Sequence, residues 1–255
     1  MLRRVDALTR LSVRATDGAI GRVTDAYFDD QQWAVRYLVV DTGLWLGWHV
    51  LISPHAIGTI DWDRSLINVA LTREQVELGP RADLQHPLSR LYEAEFYTHF
   101  GYPPYWDAPP NWGVGPETPE SQRPEPTATV QSGAAEAIPG APLVASAADS
   151  HVRSWREVKG YHIHAEDGEI GHVDDLLVDE KSWLIRFIEV DTSNWIGGTS
   201  VLVPRTALGS VNWPDGTLSV RLVREQVKHS PRADEAHLTG VLEQELEEYY
   251  GGKNV

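Results

Sequence analysis

Residues 34–54 read AVRYLVVDTGLWLGWHVLISP, and residues 184–204 read LIRFIEVDTSNWIGGTSVLVP. Both stretches follow a tryptophan (Trp33, Trp183), place an arginine third (Arg36, Arg186), pass through Asp-Thr and end on proline (Pro54, Pro204). In the first, Val35, Tyr37 and Val39 fall on one side of an extended chain and Leu38 and Val40 on the other, because side chains alternate along a strand. Apolar residues on both sides predict a strand covered on both faces. The fold therefore turns on a hydrophobic hairpin written twice, 150 residues apart.

The repeat extends outward from the hairpin. DGAIGRV (17–23) pairs with DGEIGHV (167–173), REQV (73–76) with REQV (224–227), and PRAD (80–83) with PRAD (231–234). Leu88, Leu91, Tyr92, Phe96 and Phe100 meet Leu238, Val241, Leu242, Leu246 and Tyr250 at the same offset of 150. A period this long marks duplicated structural units. Each unit reads mostly as β: LSVRA, an Asp-Gly turn, IGRVTDAYFD, the hairpin, and SLINVALT. Regular alternation in the second strand would put Ile20, Arg22, Thr24 and Ala26 on one face and Val23, Asp25 and Tyr27 on the other. Thr72 and Gln75 fit a capping box for a short helix, whereas Val223 cannot accept a hydrogen bond at the matching place. Apolar residues at 88, 91, 92, 96, 99 and 100 predict an amphipathic closing helix.

These elements predict a mainly β fold: two tandem small β-barrels, each with a closing C-terminal helix. The expected domains are 1–106 and 152–252, joined by 107–151. Residues 101–150 hold 10 of the 16 prolines and one basic residue, a composition that predicts a flexible linker. GYPPYWDAPPNW (101–112) is more aromatic and is expected to pack back on the first domain.

Composition narrows the function classes. The net charge is −15, spread as −3 over residues 1–100, −5 over 101–150 and −7 over 151–255. An acidic surface repels phosphates, so a nucleic-acid partner is not expected. Absence of cysteine excludes disulfides and thiolate chemistry. Apolar runs fall far short of the roughly 20 residues of a spanning helix, and no signal-peptide core is present, so no membrane span and a cytoplasmic location are expected. No phosphate-loop, dinucleotide, nucleophile-elbow or zincin motif occurs; neither an enzyme nor a cofactor is expected.

The order strand, Asp-Gly turn, IG-x-V-x-D, hydrophobic strand ending V-D-T, then L-I/V-P resembles the PRC-barrel family. The matching pieces are Asp17–Asp25 with Val35–Pro54, and Asp167–Asp175 with Ile185–Pro204. That family includes a barrel of the photosynthetic reaction-centre H subunit and the C-terminal domain of a ribosome-maturation factor. The resemblance implies docking to a larger assembly, in a protein built from two such modules, and brings no catalytic residues.

The aromatic residues are the candidate interaction sites. Trp45 and Trp48 stand in or beside the hairpin turn and Trp195 repeats the first; tryptophan is enriched at interface hot spots. Trp45 and Trp195 also suit plugging a barrel mouth, while Trp48 faces Gly198 and suits a copy-specific contact. Tyr102, Tyr105 and Trp106 could bind a partner groove or dock within the chain. His162 and His164 alternate on a strand and, with Glu166 or His172, are the weak candidates for metal. Glu93/Glu95 and Glu243/Glu245 lie on opposite helix faces and are expected to be solvated. Asp174, Asp175 and Asp179 lack calcium-loop spacing and read, with Asp25 and Asp29, as charged strand ends. The expected function is a non-catalytic interaction or scaffold protein with a protein partner or a homo-oligomer. The alternatives are a small-ligand or metal-dependent activity in the second domain, or association with ribosome or RNA by family analogy.

Overall fold

A computed structural model describes residues 1–84, 86–107, 151–193, 200–231 and 240–251. The predicted flexible linker lies almost wholly outside the described residues, as does Trp195. The first half runs β1 (Leu2–Arg4), α1 (Val5–Leu8), β2 (Ser12–Ala15), β3 (Gly18–Asp29), β4 (Ala34–Asp41), β5 (His49–Ile52), β6 (Ile57–Asp61), β7 (Leu66–Val69), α2 (Arg73–Glu77) and α3 (Arg90–Phe100). The second repeats it as β8 (Val152–Ser154), α4 (Trp155–Val158), β9 (His162–Ala165), β10 (Gly168–Asp179), β11 (Ile185–Asp191), β12 (Ser200–Pro204), β13 (Leu208–Asn212), β14 (Thr217–Val220), α5 (Arg224–Lys228) and α6 (Gly240–Gly251).

The fold is mainly β, with two 7-stranded sheets. The first has the ladder order β5-β4-β3-β2-β7-β6 and the second β12-β11-β10-β9-β14-β13. Strands β5 and β6, at opposite ends of one path, are joined by the single 3-10 turn Pro54–Ala56, which forces the sheet to curl on itself. Bulges help the curl. Register skips Ile20 between β2 and β3, and Thr24 between β3 and β4. Each bulge adds a residue and bends its strand, so Ile20 and Val23 are both buried. The strict alternation expected for β3 is broken by these two insertions.

The repeated IG-x-V-x-D motif now has a physical reading. A Cβ at Gly21 or Gly171 would overlap the carbonyl of Asp41 or Asp191, and Gly171 has φ +134°. Glycine is needed for this close approach. Gly171→Ala should therefore cost about 2–3 kcal/mol, whereas Gly43→Ala, at φ +55° with open space around it, should cost about 1 kcal/mol; urea denaturation measures both.

The halves exchange their first strands. β1 pairs antiparallel with β10 of the second half (Leu2 opposite Asp179), and β8 pairs with β3 of the first (Val152 opposite Asp29). Between them, Val35 N–H donates to the Trp183 carbonyl (2.9 Å) and Ile185 N–H to the Trp33 carbonyl (2.7 Å). Trp33 (φ 53°) and Trp183 (φ 59°) hold left-handed backbone at this crossing, an unfavourable conformation for a bulky residue. It is offset by burial of both rings, 7% and 2% exposed, and by the paired hydrogen bonds. One contiguous apolar core contains residues of both halves.

The motif's aspartates serve this exchange. Asp175 Oδ1 accepts from the N–H of Val5 (3.0 Å) and Asp6 (3.3 Å), capping α1, whose own N-cap residue, Arg4, supplies no side-chain cap. Asp25 does the same for α4, accepting from Ser154 Oγ (2.5 Å) and Arg156 N–H (3.3 Å). Both are buried inside β3 and β10, not at the charged strand ends expected, because their acceptors face an element contributed by the other half. Around Asp175, Arg4 clasps Glu189 through two bonds of 2.6 and 2.8 Å, and Asp6 meets Lys159 and the Trp155 indole N–H.

Candidate interaction site

The hairpin tip is built by local hydrogen bonds. Thr42 Oγ1 donates to the Trp48 carbonyl (2.6 Å), and Gly43 N–H to Asp41 Oδ1 (2.9 Å). Gly43 and Gly47, at φ 55° and 75°, allow the tight path between them. This geometry leaves Leu44 fully solvent-exposed, at 106%. Trp45, Leu46 and Trp48 are half-buried. The Arg73 guanidinium lies 4.2 Å from the Trp45 ring centre, and that of Arg81 3.7 Å from Trp48. Arg73 is carried by α2, which has the expected reciprocal Thr72–Gln75 capping box. In the second half only half of that box forms, Val223 N–H donating to Gln226 Oε1 at 2.9 Å. Leu78, between the two arginines in sequence, is 66% exposed. Tryptophan, leucine and arginine are thus presented together on one side of the first half.

Tyr102, Tyr105 and Trp106 instead fold back on their own helix. Gly101 (φ 69°) ends α3 in the left-handed conformation, and Tyr102 N–H donates to the Tyr97 carbonyl (2.9 Å), a helix-ending turn. Tyr102 stacks on His55 (centroids 5.1 Å apart) and Phe100 (5.7 Å). Tyr105 is buried and Trp106 is half-buried. Tyr105 Oη donates to Glu93 Oε1 (2.8 Å) and accepts from Arg90 (3.0 Å). Proposed from sequence as an interaction residue, Tyr105 presents little surface to a partner because its hydroxyl is consumed inside the fold.

Glu93, expected to be solvated, is 1% exposed. The expectation failed because burial comes from Tyr37 and Tyr105, which also donate to its carboxylate, and neither belongs to the helix pattern. Burial pushes its carboxyl up, against the pull of Arg90 and the two tyrosines. Nearby Arg36 is fully buried. It donates to Asp29 Oδ2 (3.2 Å) and Gln32 Oε1 (2.7 Å) and lies 3.9 Å from the Tyr105 ring centre. Burial and the Arg36 charge push His55 down to about 4, keeping it neutral beside this cation. In the second half the residues matching Arg36 and Glu93, Arg186 and Glu243, pair directly (3.0 Å) and stay 38% and 24% exposed.

His162 and His164 are exposed on β9; His162 Nδ1 lies 2.9 Å from Glu169 Oε1. Glu166 lies past the end of β9 and donates its backbone N–H to the Leu222 carbonyl. Among the described residues no ready-made group of three or more metal-ligating side chains is present. Likewise, no helix among them is long and apolar enough to cross a membrane.

Comparison with known families places a PRC-barrel domain at residues 151–227. The first half has the same strand order and the same parallel contact, β2 with β7 as β9 with β14. No curated protein matches the chain.

Proposed function

We propose that this chain is a non-catalytic interaction scaffold that presents the Leu44–Trp48 loop of its first half to a protein partner. The observation that carries the reading is the full exposure of Leu44 beside two tryptophans whose faces are covered by arginines. Single exposed leucines are ordinary, but an apolar cluster with Trp and Arg has the composition of an interface hot spot. At the matching sequence positions the second half has Asn194 and Gly198 in place of Leu44 and Trp48, so this residue composition is particular to the first copy. The strand exchange gives both halves one core, which supports a scaffold whose two faces keep a set spacing.

The test is crosslinking capture from native lysate with wild-type protein and a Leu44→Asp/Trp48→Ala variant. The expected result is a partner retained by wild type and lost by the variant, because removing one hot-spot residue weakens binding by about 2 kcal/mol or roughly thirty-fold. The melting temperature should fall only modestly, because Leu44 is fully exposed and Trp48 is half-buried. Equal capture by both proteins, or no partner together with a monomeric mass, overturns the proposal.

A further inference from the structure

The outward face of the β9–β10 hairpin gathers three imidazoles that the first half lacks. His162 and His172 are direct partners across the antiparallel pair, and His164 stands opposite Glu169. Ile163, Gly171 and Val173 are buried, so the histidines alternate outward and share one face. Facing residues hold their Cβ atoms roughly 5 Å apart, within reach of two imidazoles converging on one ion at about 2.1 Å.

A carboxylate holds one nitrogen of each facing ring. His162 Nδ1 lies 2.9 Å from Glu169 Oε1, and His172 Nε2 lies 3.3 Å from Asp191 Oδ2. A carboxylate accepts, so the His162 proton sits on Nδ1, and the Asp191 charge favours a proton on His172 Nε2. His162 Nε2 and His172 Nδ1 keep their lone pairs. Orientation of a ligand imidazole by an outer carboxylate is the usual second shell of a metal site.

In the first half the corresponding positions carry Ser12 opposite Arg22, and Arg14 opposite Ala19. Neither arginine can ligate a cation, and both repel one.

We propose that the second half binds one divalent transition-metal ion of the zinc class between His162 Nε2 and His172 Nδ1. With no third ligand already in place, water completes the coordination. Imidazole donors suit Zn, Ni and Cu and not Mg or Ca. The ion ties β9 to β10 and acts independently of the Leu44–Trp48 loop.

Calorimetric titration of untagged full-length protein with Zn²⁺, alongside hydrogen exchange of residues 162–172, tests the site. One ion per chain is expected, with slowed exchange in the hairpin. His162→Gln and His172→Gln should each weaken binding at least about ten-fold, while His86→Gln, in the first half, leaves it unchanged. The side chains of His162 and His172 are 61% and 34% exposed, so these substitutions leave the fold intact. Zinc uptake undiminished in both variants, equal uptake of Mg²⁺, or no uptake at millimolar zinc overturns the proposal.

Discussion

Glu93→Ala should destabilise the protein by about 3–5 kcal/mol, whereas Glu243→Ala, at the matching place in the second repeat, should cost only about 0–1 kcal/mol. The residues are equivalent in sequence and in secondary structure, but their surroundings differ. Glu93 is 1% exposed and receives the Tyr37 and Tyr105 hydroxyls and the Arg90 guanidinium. Removing it strands two hydroxyls and takes the carboxylate partner from Arg90. Glu243 has Arg186 beside it, and both remain in contact with water, which replaces a lost partner cheaply. Glu93→Gln keeps an acceptor for the tyrosines and should fall between wild type and alanine. Urea denaturation gives the energies, and tryptophan fluorescence reports whether Trp106 loosens with the loss. Equal costs at the two positions would show that the Tyr102–Trp106 strap contributes nothing to the pair's setting.

The second large effect concerns pH. Burial, together with repulsion from Asp6 and Glu189, pushes Asp175 up to about 7, against hydrogen bonds from the Leu176 and Asp6 backbones. Its unfolded value is near 3.8, so the folded state holds the extra proton between the two values. Stability from this group is therefore fully present below about pH 4 and is lost as pH rises through about 7. Asp175→Asn retains the Oδ1 acceptor for Val5, Asp6 and Leu176 and removes the buried charge. At pH 8 the variant should be more stable than wild type by on the order of 2 kcal/mol, and the advantage should vanish near pH 4. The difference curve between the two proteins isolates this residue from Asp25 and Glu93, which are also raised by burial. A variant less stable at every pH would mean that the cap on α1 needs the ionised carboxylate, and the reading would fail.

The two effects rest on different amounts of legible sequence. The repeat offset, the doubly apolar β4 and β11 and the amphipathic closing helix could all be read directly, because each is a local periodicity. The Thr72–Gln75 box was legible for the same reason: its partners stand three residues apart. The burial of Glu93 was not. Its donors lie 56 residues away at Tyr37 and 12 away at Tyr105, and on the helix wheel it looks like any solvated glutamate. The bulges at Ile20 and Thr24 were likewise hidden, since an inserted residue changes the register without leaving a turn signal. At the candidate site, Trp45 and Trp48 were found from residue type and turn position, but their cover by Arg73 and Arg81 depends on where α2 packs.

By itself the sequence determined the repeated unit, the succession of its strands along the chain and many of the apolar residues they bury, since alternation and turn chemistry act over a few residues. Only the tertiary structure decided which half each first strand joins. Leu2–Arg4 and Val152–Ser154 are three residues long, too short for pattern to choose between two nearly identical sheets. The choice falls to contacts made at a distance: reciprocal bonds at Trp33 and Trp183, the Arg4–Glu189 clasp, and aspartates 25 and 175, each capping a helix of the other half.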